Sequence, residues 1–163
     1  MMKAATTAAV FLIFLSPFAH GSRSLKTSFI IKGKVFCDTC RAGFETPAST
    51  YISGATVKVE CRDRMSGDLK YTVQGKTDVT GVYNLVVKND HKNHICESSL
   101  VSSPDSGCAE VVSGRDRSRI VLTYENGIPS STRLANSMGF QMQTALAGCA
   151  QVMKMYRTDE DRF

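Results

Sequence analysis

No Asn-x-Ser/Thr sequon occurs in these 163 residues; Asn136-Ser137-Met138 has its serine one place too early. That absence excludes an N-linked glycan. Gly-x-Ser-x-Gly, His-Glu-x-x-His, a phosphate-binding P-loop and a dinucleotide fingerprint are missing too. Without a nucleophile elbow, a metalloprotease helix or a glycine cradle for phosphate, neither an enzyme nor a cofactor is expected. Charge of one sign is also scarce. The formal net charge is +5 and its 20 basic residues are scattered. Such a balance excludes the dense basic face that nucleic acid requires and leaves room only for weak attraction to acidic wall polymers or membrane surfaces. After residue 15 there is no long apolar run, no KDEL-type ending and no hydrophobic tail, so no membrane span or lipid anchor is expected.

What is present begins with a leader. Residues 1–21 read as a secretory signal peptide: Lys3 is the positive region, AAVFLIFL at 8–15 is the apolar core, and Ala19 and Gly21 are the small residues before the cut. The apolar run falls far short of the roughly 20 residues of a transmembrane helix. Residues 22–163 are then expected to be one extracellular domain, long enough for a real core. All 6 cysteines lie in it. An even number in a secreted chain favours three disulfides, although spacing alone leaves the pairing open.

The segment 27–37 is a strand candidate, with Phe29, Ile31, Val35 and Cys37 on one face, Lys32 and Lys34 on the other, and Ile30 and Phe36 blurring the pattern. Gly33, on the apolar face, allows a close neighbour. Residues 41–53 read as a loop. The segment 54–62 alternates cleanly, Ala55, Val57, Val59 and Cys61 against Thr56, Lys58, Glu60 and Arg62, as a half-buried antiparallel strand does. Leu69, Tyr71 and Val73 continue in a third strand, and Thr77-Asp78-Val79-Thr80-Gly81 makes a tight turn into a fourth at 82–88. Residues 89–107 read as a long polar loop that Cys96 staples. Short strands are expected at 108–112 and 118–124. From 133 to 156, Met142, Leu146, Cys149, Met153 and Tyr156 recur at helical spacing, and residues 157–163 read as a charged tail. The expected fold is all-β: an antiparallel sandwich or small barrel of six or seven strands, with a short C-terminal helix.

The run Gly33-Lys-Val-Phe-Cys-Asp-Thr-Cys-Arg41 resembles the signature of the Ole e I-like pollen allergen family. So do Gly43-Phe44, Gly54-Ala55-x-Val57 leading into Glu60-Cys61, the block Thr77-Asp78-x-x-Gly81-x-Tyr83, and Ala135-Asn136-x-x-Gly139-Phe140 before Cys149. The resemblance covers about residues 27–156. It marks Gly33, Val35, Phe36, Asp38 and Arg41 as signature positions. It implies a small disulfide-linked barrel or sandwich with Cys37 paired to Cys108, Cys40 to Cys149 and Cys61 to Cys96. It further implies secretion in plant tissue, a role in pollen and pistil such as pollen tube growth, a partner of the receptor-like kinase type, and potential allergenicity. Two departures stand out: the glycan acceptor of pollen members is missing, and the proline frequent in the Ala-Asn block is replaced, with Met138 nearby.

Several residues invite sharper readings. Cys37-x-x-Cys40 has redox or metal spacing, but it ends a strand with no βαβ pattern around it, and a zinc site needs a second ligand pair that only His91 and His94 offer; structural disulfides are the expectation. His91 and His94 are then expected as exposed loop residues. Asp38 has no carboxylate, His or nucleophile tied to it by motif, so a turn-forming role outweighs catalysis. Arg115, Arg117 and Arg119 alternate and are a candidate polyanion contact, set against a plain solvated strand face. The methionine stripe near the C-terminus reads as core. Function is expected to be recognition or signalling outside the cell; the alternative is a structural cell-wall protein that binds acidic polysaccharide.

Overall fold

The computed structural model describes residues 28–157; the leader read at 1–21 and residues 158–163 lie outside them. The first strand, β1 (Ser28–Asp38), begins with strict alternation: Phe29, Ile31, Gly33 and Val35 are buried, while Ile30, Lys32 and Lys34 are exposed. From Val35 onward every residue is buried. The cause is a change of neighbours halfway along. The first half runs antiparallel to β5 (Val82–Lys88) and parallel to β9 (Thr132–Leu134). The second half runs antiparallel to β2 (Thr50–Tyr51) and parallel to β10 (Met138–Met142), beyond which lies β7 (Cys108–Val111). The other sheet is antiparallel throughout, in the order β4 (Leu69–Lys76), β3 (Thr56–Asp63), β6 (His94–Ser102), β8 (Arg117–Ile120).

The two sheets enclose one apolar core. Phe29, Ile31, Leu85, Val87, Met138 and Phe140 from the first sheet meet Val57, Val59, Leu100 and Ile120 from the second. Each such burial removes apolar surface from water and stabilises by about 1.5–3 kcal/mol before entropy is counted. A polar thread crosses this core: the Tyr83 hydroxyl donates to Ser98 Oγ at 3.1 Å, and Ser98 Oγ donates to the Ser118 carbonyl at 3.4 Å. Burial pushes the Tyr83 hydroxyl pKa above its ordinary value, as a low-dielectric site does to any group that ionises to an anion.

The chain is mostly β, two-sheeted and disulfide-linked, with a short C-terminal helix, as the sequence implies. Four details differ. The described residues form ten strands rather than six or seven. The first sheet is mixed, because β1 pairs in parallel with β9 and β10. The expected 89–107 loop contains β6, whose inward positions include Cys96, Ser98 and Leu100; a buried serine breaks the apolar period that marks a strand. The helical stripe is not one helix. Met142 ends β10 and packs against the core, Leu146 is exposed, and α1 (Cys149–Lys154) buries Cys149 alone, so only part of the stripe is core.

Candidate functional site

Each signature residue of β1 has a mechanical task. Gly33 lies under the Tyr83 ring, where an added Cβ would stand 2.4 Å from the hydroxyl. Val35 is fully buried; its N–H donates to the Gly81 carbonyl and its carbonyl accepts from the Ile52 N–H. Phe36 covers Gly139 so closely that a Cβ there would stand 2.6 Å from the ring. Asp38, 4 % exposed, ends the strand. Its carboxylate accepts from the Ala42 and Gly43 N–H groups at 3.0 and 2.7 Å and from Gln141 Nε2 at 3.2 Å. These bonds hold a turn in which Arg41 takes φ 53° and Gly43 φ 78°, a left-handed conformation that costs a non-glycine residue energy unless its surroundings fix it.

Arg41 is fixed from outside the turn. Its guanidinium donates to Glu110 at 2.7 Å, to the Gln143 carbonyl at 3.2 Å and to the Met142 carbonyl. The shared hydrogen bond raises the Arg41 pKa and lowers that of Glu110. The end of β1 and this turn carry two disulfides, Cys37–Cys108 to β7 and Cys40–Cys149 to the start of α1; a third, Cys61–Cys96, joins β3 to β6. The cavity beside Asp38 is lined by Phe36, Gly43, Val112, Arg115, Gly139 and Gln141 and holds about 10 Å³, room for a single water at most. The signature is a knot that ties strand, turn and helix together, with no space for a substrate.

His91 and His94 are brought together, contrary to the expectation of exposed loop positions. His91 is 7 % exposed. Its Nδ1 lies 2.9 Å from His94 Nδ1, and its Nε2 lies 2.9 Å from the Lys88 carbonyl. Burial lowers the His91 pKa below the ordinary imidazole value, because it penalises the cation. Cys61, His91 and Cys96 present ligand atoms within 4.8 Å of one another. Both sulfurs are bonded to each other, and a disulfide has no thiolate to offer a metal.

The three arginines do not form one basic face. Arg117 and Arg119 are exposed on β8, whereas Arg115 precedes it. Arg117 is neutralised by Asp116 at 2.9 Å and approaches Glu97 at 3.9 Å, which lowers the Asp116 pKa. Arg119 is in register opposite Glu97. The arginine that sequence reasoning missed is Arg133, 4 % exposed. It donates to the carbonyls of Val121 and Thr123 at 3.1 and 2.9 Å and lies 4.9 Å over the Phe29 ring, which itself stacks on Tyr124. Its position within the three-residue β9 carries no motif that marks it.

Every described buried side-chain polar atom has a hydrogen-bond partner, and no described helix is long and apolar enough to cross a membrane. Fold and knot together define a disulfide-braced β-scaffold built around a single cysteine-bearing turn. Residues 27–157 match the family model described as Pollen protein Ole e 1 like, and the chain belongs to that family. It is 42% identical to "Pollen-specific protein C13" of Zea mays over 161 residues, covering 97% of this chain and 94% of the relative. It is 41% identical to "Pollen allergen Phl p 11" of Phleum pratense over 78% of this chain and 90% of the relative. The crystal structure of the major plantain pollen allergen Pla l 1 superposes with a TM-score of 0.67 at 29% identity, covering 75% of this chain and 99% of that one.

Proposed function

We propose that residues 22–163 are secreted after removal of the leader and act as a non-enzymatic recognition protein, a ligand in pollen or other reproductive tissue that serves pollen tube growth or development. The partner in this reading is an extracellular protein such as a receptor-like kinase ectodomain. Kinship with a pollen-specific protein and with pollen allergens supports the tissue and makes this chain a potential allergen. One observation carries the non-enzymatic part. Asp38, the signature group with catalytic potential, commits its carboxylate to the amides of Ala42, Gly43 and Gln141, so the signature serves the scaffold and recognition falls to the exposed surface.

The test is affinity capture. Oxidised protein is immobilised, exposed to pollen and pistil extracts, washed in moderate salt, and the retained material is identified by mass spectrometry. Enrichment of one receptor-kinase ectodomain supports the ligand reading, and its absence overturns it. A second reading, a structural wall protein holding acidic polysaccharide, draws on Arg115 and Arg119, which have no ion pair among the described residues. Polysaccharide released steeply by added salt supports that reading, because screening weakens exposed charge contacts.

A further inference from the structure

A cavity of about 110 Å³ opens at one end of the four-stranded sheet, well above the ~10–15 Å³ that admits one water. Three segments wall it: Arg64 in the turn after β3, His91, Lys92, His94 and Cys96 at the entry to β6, and residues 119–123 from the end of β8 onward. Its charged lining residues are Arg64, Lys92 and Arg119, joined by His91 and His94, and no carboxylate lines it. Arg41 is matched by Glu110 and Arg117 by Asp116. Here Lys92 is paired with Glu125 at 2.5 Å, but Arg64 and Arg119 have no ion pair among the described residues.

The histidine pair in the wall is ordered by its own hydrogen bonds. The Lys88 carbonyl only accepts, so His91 Nε2 must carry the hydrogen that it receives. His91 Nδ1 is then the acceptor, and His94 Nδ1 donates to it. His94 Nε2 is left without a partner in the described protein.

We propose that this cavity binds a small oxyanion, a phosphate or carboxylate group presented free or at the end of a larger ligand. Guanidinium forks at Arg64 and Arg119 suit the paired oxygens of such a group, and the neighbouring carboxylates, Glu125 held by Lys92 and Glu97 in register opposite Arg119, are not among the lining residues. The site shares only Arg119 with the Arg115–Arg117–Arg119 line, since Arg115 and Arg117 do not line it.

The probes are inorganic phosphate and, separately, galacturonate, titrated at physiological ionic strength into isotope-labelled oxidised protein and followed by backbone amide shifts. Expected are saturable shifts at Arg64, Lys92, His94 and Arg119. The double variant R64A/R119A should bind at least about tenfold more weakly, given what a charge-assisted hydrogen bond contributes, and R117A should bind as the unaltered protein does. Tighter phosphate than galacturonate binding identifies a phosphate-bearing ligand, and the reverse a uronate. Both arginines are exposed, and the amide spectrum of the variant reports its fold; if the double variant misfolds, R119Q alone carries the same expectation. Shifts that never saturate, that spread equally to other cations, or that persist unchanged in the variants overturn the proposal.

Discussion

Two glycines act as sockets for aromatic rings, and the rings hold the sheets in place. The hydroxyl above Gly33 is not free to retreat, because Tyr83 is fully buried and tethered to Ser98. Gly33→Ala is therefore expected to destabilise by about 1–3 kcal/mol through overpacking. Urea denaturation measures it, and an unchanged midpoint would show that the ring has room to shift. Ser98→Ala leaves the Tyr83 hydroxyl desolvated with no acceptor, an expected loss of about 1–3 kcal/mol. The companion double variant Y83F/S98A should recover much of it, because it removes the stranded donor. If the double variant were as unstable as S98A alone, the hydroxyl thread would not be the cause.

At the level of elements, the readable strands are those with one wet face. β3 and β5 alternate in sequence and in burial. β6 was hidden because its inward positions carry a serine and a disulfide cysteine. β10 was hidden for a different reason: Met138, Gly139, Phe140 and Gln141 are all buried, so no polar side alternates with the apolar one. The candidate site was legible as spacing and signature, since cysteines and Asp38 are distinctive residue types. The knot between Arg41, Glu110 and the β10 carbonyls was not, because it joins positions 69 and more residues apart. The turn into β6 also carries a pH dependence. His91 has its folded pKa depressed by burial, so the unfolded chain takes the proton first. Stability is fully present above the unfolded value of about 6.5 and is lost as pH falls from there through the lower folded value. The denaturant midpoint should drop between neutral and mildly acidic pH, and His91→Gln should flatten that slope; parallel slopes would assign the effect elsewhere.

Across the whole molecule, the disulfides close sequence separations of 71, 109 and 35 residues. Chain entropy values each at about 4–5 kcal/mol in a model-dependent sense, comparable with the entire stability of a domain. Reduction should lower the melting temperature sharply. The paired variant C40S/C149S should release the C-terminal segment, because α1 buries Cys149 alone and the residues after it touch the body through contacts such as the edge-on Phe44–Tyr156 pair. Limited proteolysis should then cut within 143–157 while the sheets persist; resistance there would mean that α1 is held by its other contacts. The four neighbours of β1 also impose a timetable. As the chain is made, β5 can join β1 early and Cys61 can meet Cys96, but β9 and β10 are synthesised about a hundred residues after β1 begins. Cys40 waits for Cys149 over the same span. The strand that is born first is the last to be completed, so a ribosome-bound chain stopped before residue 132 would carry a half-built first sheet with Cys40 lacking its native partner.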